Sequence, residues 1–244
     1  MAVKIGSARI DEHGKAKGGK AGDQTGKEVS TQAWYKHNKG WRVFRAKDSA
    51  CAEKIAWDMQ AACNNKNIGY DQSQRLTLYN VAKDVGFNCA LVTKKCETDC
   101  SALVRVCCAY AGIMLPNFRT VDEPKVLKNS GAFVEMVGAM YQDKPDYLRR
   151  GDILVTKTSG HTVIVLSNGK YADDQPNIDF DHVIVTGKSV NIRNGAGKEF
   201  DIIAIGYIGD IYPYTGKTDD GWYNVEYSPG CYGWISSKYS QLHT

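Results

Sequence analysis

The sequence lacks three features that would place it in well-defined protein classes. No apolar run approaches the roughly 18 residues that span a membrane, and the first 15 residues hold no apolar segment like that of a secretory signal peptide. The eight cysteines include no Cys-x-x-Cys pair and no histidine at zinc-ligand spacing. We therefore expect no membrane insertion, no signal peptide, no metal or other cofactor, and cysteines that are free thiols.

Positive charge is concentrated at the start of the chain. Residues 1–49 contain 11 Lys and Arg against five Asp and Glu, whereas residues 182–244 contain five against six. A basic segment favours an anionic partner such as nucleic acid, a membrane surface or an acidic cell-wall polymer, although solvated surface lysines give the same count. Residues 13–30 are rich in Gly and Lys but lack a complete phosphate-loop pattern, so they predict a loop and no nucleotide site.

Apolar spacing predicts four helices, followed by strands. The helices are expected near residues 48–63, 73–85, 100–112 and 123–131. β-Branched, alternating segments then predict strands at 152–156 and 161–167. Asn168-Gly169 is typical of a hairpin turn, so the chain is expected to fold back through residues 170–173. Helices followed by a meander predict an α+β fold.

The last quarter of the chain has a different character. Residues 174–181 are polar and aperiodic, which predicts a linker. Residues 182–244 hold 10 of the 25 aromatic residues, in short strand-like runs separated by turn sequences. This pattern predicts a small all-β barrel. We therefore expect two domains, at 1–176 and 182–244.

Cys100 is a candidate nucleophile because it lies at the first turn of a predicted helix, after the possible N-caps Thr98 and Asp99. A helix start stabilises a thiolate, and its free N–H groups can hold an oxyanion. His161 begins a predicted strand after a Gly-containing turn, where it can act as the general base. Buried cysteines at helix starts and structural histidines in strands are both common, so the pair in this order is the stronger signal.

Three motifs in this part of the chain resemble one family. Residues 99–104, Asp-Cys-Ser-Ala-Leu-Val, resemble the Asp-Cys-Ser-Gly-Leu-Val signature of NlpC/P60-type cysteine peptidases. Residues 148–155 resemble the strand before their catalytic histidine, and residues 161–169 resemble their histidine-bearing hairpin. The resemblance covers about residues 50–175 and extends to the related phage amidase and CHAP groups. Ala102 replaces the usual Gly, and the family's Tyr-containing motif before the Cys is missing.

The resemblance implies a papain-like fold and hydrolysis of peptide bonds in peptidoglycan. Carried over by motif, Cys100 is the nucleophile and His161 the base, and the third, polar residue is Asp173, with Asn168 as the alternative. Tyr70 stands in for the missing motif at the substrate cleft, or is a core tyrosine. We also expect the neighbours of Cys100, Asp99 and Ser101, to contact substrate.

The C-terminal segment is similar to bacterial SH3 (SH3b) domains. Residues 190–197, Val-Asn-Ile-Arg-Asn-Gly-Ala-Gly, resemble their opening, and residues 221–225 and 233–239 resemble their later Gly-Trp strands. This resemblance implies binding to cell-wall peptides or glycans. We expect at least one of Trp222 and Trp234 in the barrel core. An exposed aromatic groove is expected from three tyrosines, Tyr212, Tyr214 and Tyr232.

Together these features predict a phage endolysin-like peptidoglycan hydrolase that acts as a monomer and binds no nucleic acid. It would be made in the cytoplasm and reach the wall through a holin-type pore. The alternatives are an N-acetylmuramoyl-L-alanine amidase with the same dyad, a cysteine acyltransferase or intracellular effector, and a non-catalytic wall-binding protein. Residues 1–48 match no part of the family; we expect them to cover the cleft as a lid, so that their deletion alters activity more than folding.

Overall fold

A computed structural model describes residues 2–172, 181–208, 210–228 and 230–243. The chain divides into two compact units. The first comprises Met1–Met136 and Tyr141–Ala172, and the second comprises Val137–Met140 and Asp173–Thr244. Helices and strands are both abundant and the second unit is built from strands, so the expected α+β class is confirmed.

The first unit is built on one antiparallel sheet of six strands. The strands between the start of the chain and residue 165 are β1 (Lys4–Ala8), β2 (Val29–Ala33), β3 (Trp41–Ala46), β4 (Ile68–Tyr70), β5 (Cys96–Thr98), β6 (Phe133–Met136), β7 (Ile153–Thr156) and β8 (Thr162–Val165). The helices are α1 (Ser49–Asn64), α2 (Thr77–Lys83), α3 (Cys100–Tyr110), α4 (Glu123–Asn129) and α5 (Ala139–Gln142). The six strands are ordered β2-β1-β8-β7-β3-β6, and β4 and β5 form a separate parallel pair.

Helix starts follow the capping residues closely. The Asp48 side chain accepts a hydrogen bond from Ala50 N at 2.7 Å, and α1 begins at the next residue. The Asp99 side chain does the same for α3, accepting from Ala102 N at 2.7 Å. These carboxylates satisfy N–H groups that have no partner inside the helix. α2 begins only at Thr77, four residues later than the apolar spacing predicts.

Helices α1 and α3 contribute buried apolar side chains to the main core together with the sheet. Gly6 of β1 marks the closest approach, because a Cβ atom there would lie 2.7 Å from Cγ of Met59 on α1. Met59, Leu103 and Val104 are fully buried in this core. Packing of α3 on the sheet fixes the position of its first residue, Cys100.

The expectation that residues 1–48 form a lid is wrong, because this segment supplies three strands of the sheet. β1 lies between β2 and β8, and β3 lies between β7 and β6. Four of the five residues of β1 are buried, which removes the alternation of polar and apolar residues that identifies a strand. Arg45 of β3 is also buried, where its guanidinium donates two hydrogen bonds to Asp152, at 2.7 and 2.8 Å.

Deleting residues 2–33 is therefore expected to prevent the first unit from folding. The deletion removes β1 and β2. It therefore leaves β8, an interior strand of the wild-type sheet, with no backbone partner on the edge that β1 occupies. The expected loss exceeds the whole stability of an ordinary domain, about 5–15 kcal/mol. Far-UV circular dichroism and calorimetry of the shortened and full chains measure it. A lid would instead leave the cooperative unfolding of this unit intact, and that result would contradict the strand assignment.

The predicted hairpin at Asn168-Gly169 is also wrong. Ile164 of β8 pairs with Gly6 on one side and with Ile153 on the other, so no returning strand can pair there. The turn instead bonds to the segment before β7, where Gly169 N donates to Leu148 O at 2.8 Å. Asp173, which was expected to lie opposite Ile164, falls outside the described residues.

The second unit is an all-β sheet of seven strands. They are β9 (His182–Val185), β10 (Ser189–Arg193), β11 (Ile202–Tyr207), β12 (Ile211–Asp219), β13 (Trp222–Ser228), β14 (Cys231–Ser236) and β15 (Ser240–His243), in the order β11-β10-β14-β13-β12-β9-β15. The Asp220-Gly221 turn joins β12 to β13 with positive φ at both residues, 38° and 76°. A two-residue turn of this kind matches the twist of the strands it connects. No helix in the described ranges of either unit is long and apolar enough to span a bilayer.

Candidate active site

Cys100 is held at the start of α3 with its thiol directed towards β8. The backbone N–H groups of Ser101 and Thr162 both lie near the thiol and favour its ionised form. The residue is only 7% exposed. Because Thr162 directly follows His161, this contact brings the two predicted catalytic residues to neighbouring positions from distant parts of the sequence.

His161 precedes β8 and lines an open cleft. Its backbone N–H donates to Thr156 Oγ1 at 3.1 Å, and its ring centroid lies 6.5 Å from that of Trp41. The cleft has a volume of about 670 Å³. Among the described residues, no hydrogen bond joins the imidazole to the Cys100 thiol, so the two residues are neighbours through the backbone of Thr162.

Burial decides the charge state of both groups. It raises the pKa of the Cys100 thiol to about 12, with smaller contributions from the negative charges of Asp99 and Glu123. Burial lowers the pKa of His161 to about 4, helped by the positive charges of His37 and Arg9. At neutral pH the site therefore holds a thiol and a neutral imidazole. The thiolate expected from the helix start is not the resting form, because desolvation outweighs the helix N-terminus.

Two tyrosines flank the thiol. Burial raises the pKa of Tyr70 to about 12, and the charge of Cys100 is the next largest cause. Burial also raises the pKa of Tyr35, on which Arg9 and Cys100 act in opposite directions. The structure thus brings Tyr70 near Cys100, but Tyr70 is buried in the main apolar core, which agrees with the core-tyrosine alternative. Tyr35 comes from the N-terminal segment, which sequence patterns did not connect to the site.

Asp99 and Ser101 are buried in a network that fixes the start of α3. Arg75 Nε donates to Asp99 Oδ2 at 2.5 Å, and Arg75 Nη2 donates to Ser101 Oγ at 3.0 Å. Ser101 Oγ donates in turn to Asp99 Oδ1 at 2.9 Å. We therefore assign both residues a positioning role in place of the expected substrate contact, because their side chains are occupied by each other and by Arg75.

Glu123, the first residue of α4, is a site neighbour that sequence reasoning missed. It is fully buried, and its Oε1 accepts a hydrogen bond from Thr162 Oγ1 at 2.8 Å. Burial raises its pKa well above the ordinary range. The Thr162 hydroxyl links this acid to the strand that carries His161.

The third catalytic residue is not identified within the described residues. Asn168 lies beyond the end of the four-residue strand β8, whereas His161 precedes its first residue. At about 3.3 Å per residue, this strand alone separates them by more than 10 Å. Asn168 Oδ1 accepts instead from Arg150 N at 2.8 Å. Asn168 therefore cannot orient the imidazole, and Asp173 remains a prediction.

A group of carboxylates lies under the Gly- and Lys-rich loop, close to the start of α3. It consists of Asp11, Glu12, Glu28, Asp71 and Glu97. Glu97 is 1% exposed, and neither of its carboxylate oxygens has a hydrogen-bond partner in the part of the chain that the structure describes. Burial raises the pKa of Glu97 to about 8, and the four neighbouring acids add to the effect. In the described part of the chain, no three Asp, Glu, His or Cys side chains converge as a set of metal ligands.

Glu97→Gln is expected to leave the free energy of unfolding unchanged near pH 4.5 and to raise it by about 1–3 kcal/mol at pH 8. In the wild type, the unfolded chain ionises Glu97 near the ordinary pKa of 4.5, whereas the folded protein keeps it protonated up to about pH 8. Wild-type stability therefore falls as pH rises between these values. The neutral amide removes that loss and can donate to the neighbouring carboxylates.

Calorimetry of the full chain from pH 4.5 to pH 8 measures this effect. The matched control is Asp84→Asn, which removes an exposed carboxylate from the same unit and should leave the pH dependence as in the wild type. An equal gain at both pH values would show that Glu97 is not held protonated in the folded protein.

The three tyrosines expected to form an exposed groove in the second unit differ in exposure. Tyr212 is buried in the core of this unit, and its hydroxyl donates to Asp210 Oδ2 at 2.9 Å, so the expectation is wrong there. Tyr214 is half-buried, with its ring centroid 6.1 Å from that of Tyr223. Tyr232 is 56% exposed. The tryptophans of β13 and β14 are both half-buried.

Two comparisons with known proteins bear on this arrangement. A family model described as an endolysin-like domain matches residues 5–172. The match begins in β1, and it covers more than half of the chain, including Cys100 and His161. A search of curated proteins found no match.

Proposed function

The chain belongs to the endolysin-like domain family, and from this membership we propose that it hydrolyses an amide bond in the peptidoglycan stem peptide with Cys100 as nucleophile and His161 as base. Family membership indicates a phage cell-wall lytic enzyme with peptidoglycan as substrate. The observation that carries the finer proposal is the position of the Cys100 thiol, at a helix start and against the N–H group of the residue that follows His161.

The first half-reaction forms a thioester. The neutral imidazole of His161 accepts the thiol proton as Sγ of Cys100 bonds to the carbonyl carbon of the amide. The carbonyl oxygen becomes an oxyanion, and the N–H groups of Ser101 and Thr162, which lie near the thiol, are its proposed donors. When the C–N bond breaks, the imidazolium returns its proton to the leaving amine.

Water completes the cycle. His161 takes a proton from a water molecule as its oxygen attacks the thioester carbon, and the C–S bond breaks. The departing sulfur recovers the proton, and the peptide leaves with a new carboxyl group. A resting thiol and neutral imidazole suit this sequence, because the base is unprotonated before attack.

We further propose that the first unit is a papain-like NlpC/P60 domain and that the second is an SH3b-type wall-binding domain. A cysteine at the start of a helix, beside a histidine-bearing strand of an antiparallel sheet, supports the first assignment. Seven strands and the Gly-Trp motifs of β13 and β14 support the second. Tethering would raise the local concentration of substrate, so weak wall binding is sufficient. Release through a holin-type pore and action as a monomer belong to the same proposal.

Digestion of purified Gram-positive walls, with products identified by mass spectrometry, tests the proposal. New amino termini within the stem peptide are expected for an endopeptidase. Free lactyl groups on the glycan paired with new N-terminal alanine would instead establish the amidase, which uses the same residues. Binding without any new termini on a panel of wall types would overturn both, and would leave a wall-binding protein.

A further inference from the structure

The cleft beside His161 carries positive charge only. The residues that line it are Arg9, Gln32, Tyr35, His37, Asn38, Lys39, Gly160 and His161. Among the described residues, the lining includes one arginine and one lysine and no aspartate or glutamate. A cleft of one sign attracts a ligand group of the other sign.

Arg9 is the cation in this lining that has unsatisfied donor capacity in a buried position. It follows β1 and is half-buried. Its Nη2 donates to Ser30 O at 3.3 Å, and its Nε is buried with no hydrogen-bond partner. Within the described ranges it has no ion pair with a carboxylate. A buried guanidinium donor without an acceptor is destabilising, and a ligand carboxylate would satisfy it through paired hydrogen bonds.

Lys39, the other cation, is placed differently. It is exposed, and its Nζ donates to Ser159 O at 2.5 Å. Its ammonium group is therefore already bonded within the protein and accessible to water. An ammonium group also lacks the planar fork with which arginine binds a carboxylate.

Arg9 lies within electrostatic range of the reacting groups. Its charge contributes to the lowered pKa of His161 and acts on Tyr35, whose phenol is in turn within range of Cys100. Because Arg9 and His161 line the same cleft, a carboxylate bound to Arg9 would belong to the part of the substrate that lies near His161. It would also offset the positive field at His161.

We propose that Arg9 is a specificity-determining residue that binds a free carboxylate of the wall peptide next to the scissile amide. The proposal rests on the function proposed above and narrows its substrate class. It predicts a preference for stem peptides that carry carboxylates over those in which carboxamides replace them. The protein should discriminate against amidated stem peptides because a carboxamide lacks the negative charge that pairs with the guanidinium.

The test compares purified walls with the same walls after carbodiimide and ammonia have converted their carboxylates to carboxamides. We expect the wild type to show about a 10- to 100-fold lower kcat/KM on amidated walls, the range for a hydrogen bond to a charged group. Arg9→Gln should digest both walls at similar, low rates. Arg9→Lys should discriminate weakly. Lys39→Gln removes a positive charge from the same cleft and should keep the wild-type ratio between the two walls.

A binding measurement tests the proposed role of Arg9 independently of the proposed catalytic role of Cys100. The full-length Cys100→Ala variant, with and without Arg9→Gln, is titrated with a stem pentapeptide carrying free carboxylates and with its fully amidated form. Tighter binding of the carboxylate form that disappears with Arg9→Gln supports the proposal. Equal binding of the two forms, binding of neither, or a ratio unchanged by Arg9→Gln overturns it. Wall digestion that survives Cys100→Ala would overturn the catalytic mechanism instead.

Discussion

Cys100→Ala is expected to lower the rate of wall lysis by about 10⁴- to 10⁶-fold, the range seen when a catalytic nucleophile is removed. The thiol is the one group at the start of α3 that can form the thioester, and alanine leaves nothing to replace it. The side chain is small and belongs to the first residue of α3, so folding should be retained. The decrease in turbidity of purified walls measures the rate, and sedimentation with the walls measures binding.

Cys231→Ala is the matched control for this experiment. Cys231 is an exposed free cysteine on β14, in the other unit. Its loss should leave lysis unchanged, which separates the role of Cys100 from a general effect of thiol loss. Lysis by Cys100→Ala at the wild-type rate would show that the thiol is not the nucleophile. Retained binding without lysis is the expected pattern.

Asp99→Ala is expected to destabilise the first unit by about 3–5 kcal/mol and to reduce lysis strongly. The change removes the N-cap of α3 and leaves the buried guanidinium of Arg75 without its carboxylate, which is 2.5 Å away in the wild type. An uncompensated buried charge dominates this cost. Because the same cap sets the position of Cys100, activity should fall even at temperatures where the variant is folded. Chemical denaturation and the turbidity assay measure the two effects.

A double variant distinguishes the stability cost of the unpaired Arg75 guanidinium from that of the lost N-cap. Replacing Arg75 with Met in the Asp99→Ala background removes the unpaired guanidinium, so part of the stability should return while activity stays low. Asp122→Ala is the control, because Asp122 is the N-cap of α4 and its side chain makes no capping hydrogen bond. A cost for Asp99→Ala no larger than that of the control would refute the role of the buried pair.

The local sequence was sufficient to predict the features of the fold that depend on residues adjacent in the chain. The Asp48 and Asp99 side chains cap helices that begin at the next residue, so the position of Cys100 at a helix start could be predicted from a few residues. The turn at Asp220-Gly221 could be predicted for the same reason, since the residues that adopt positive φ are themselves the signal. The order of Cys100 and His161 also carried the resemblance to cysteine peptidases.

Sequence patterns did not predict the features of the fold that depend on pairing between strands distant in the sequence. β1 is buried along nearly its whole length, and β3 carries two arginines that are neutralised by Glu135 and Asp152. Neither segment shows the alternation of a half-exposed strand. The hairpin signal at Asn168-Gly169 was overridden because β1 already occupies the edge of β8 that a returning strand would need.

The chemistry of the site likewise depends partly on local sequence and partly on tertiary structure. Residue types and spacing predicted a candidate nucleophile, a candidate base and the helix that presents the thiol, because those features depend on local structure. The protonation states of Cys100 and His161, the roles of Tyr35 and Glu123, and the cationic cleft around Arg9 depend on which side chains are buried together. Burial is a property of the assembled sheet, and three of its six strands come from a segment with no recognisable pattern. Tertiary structure therefore decided how the site is charged.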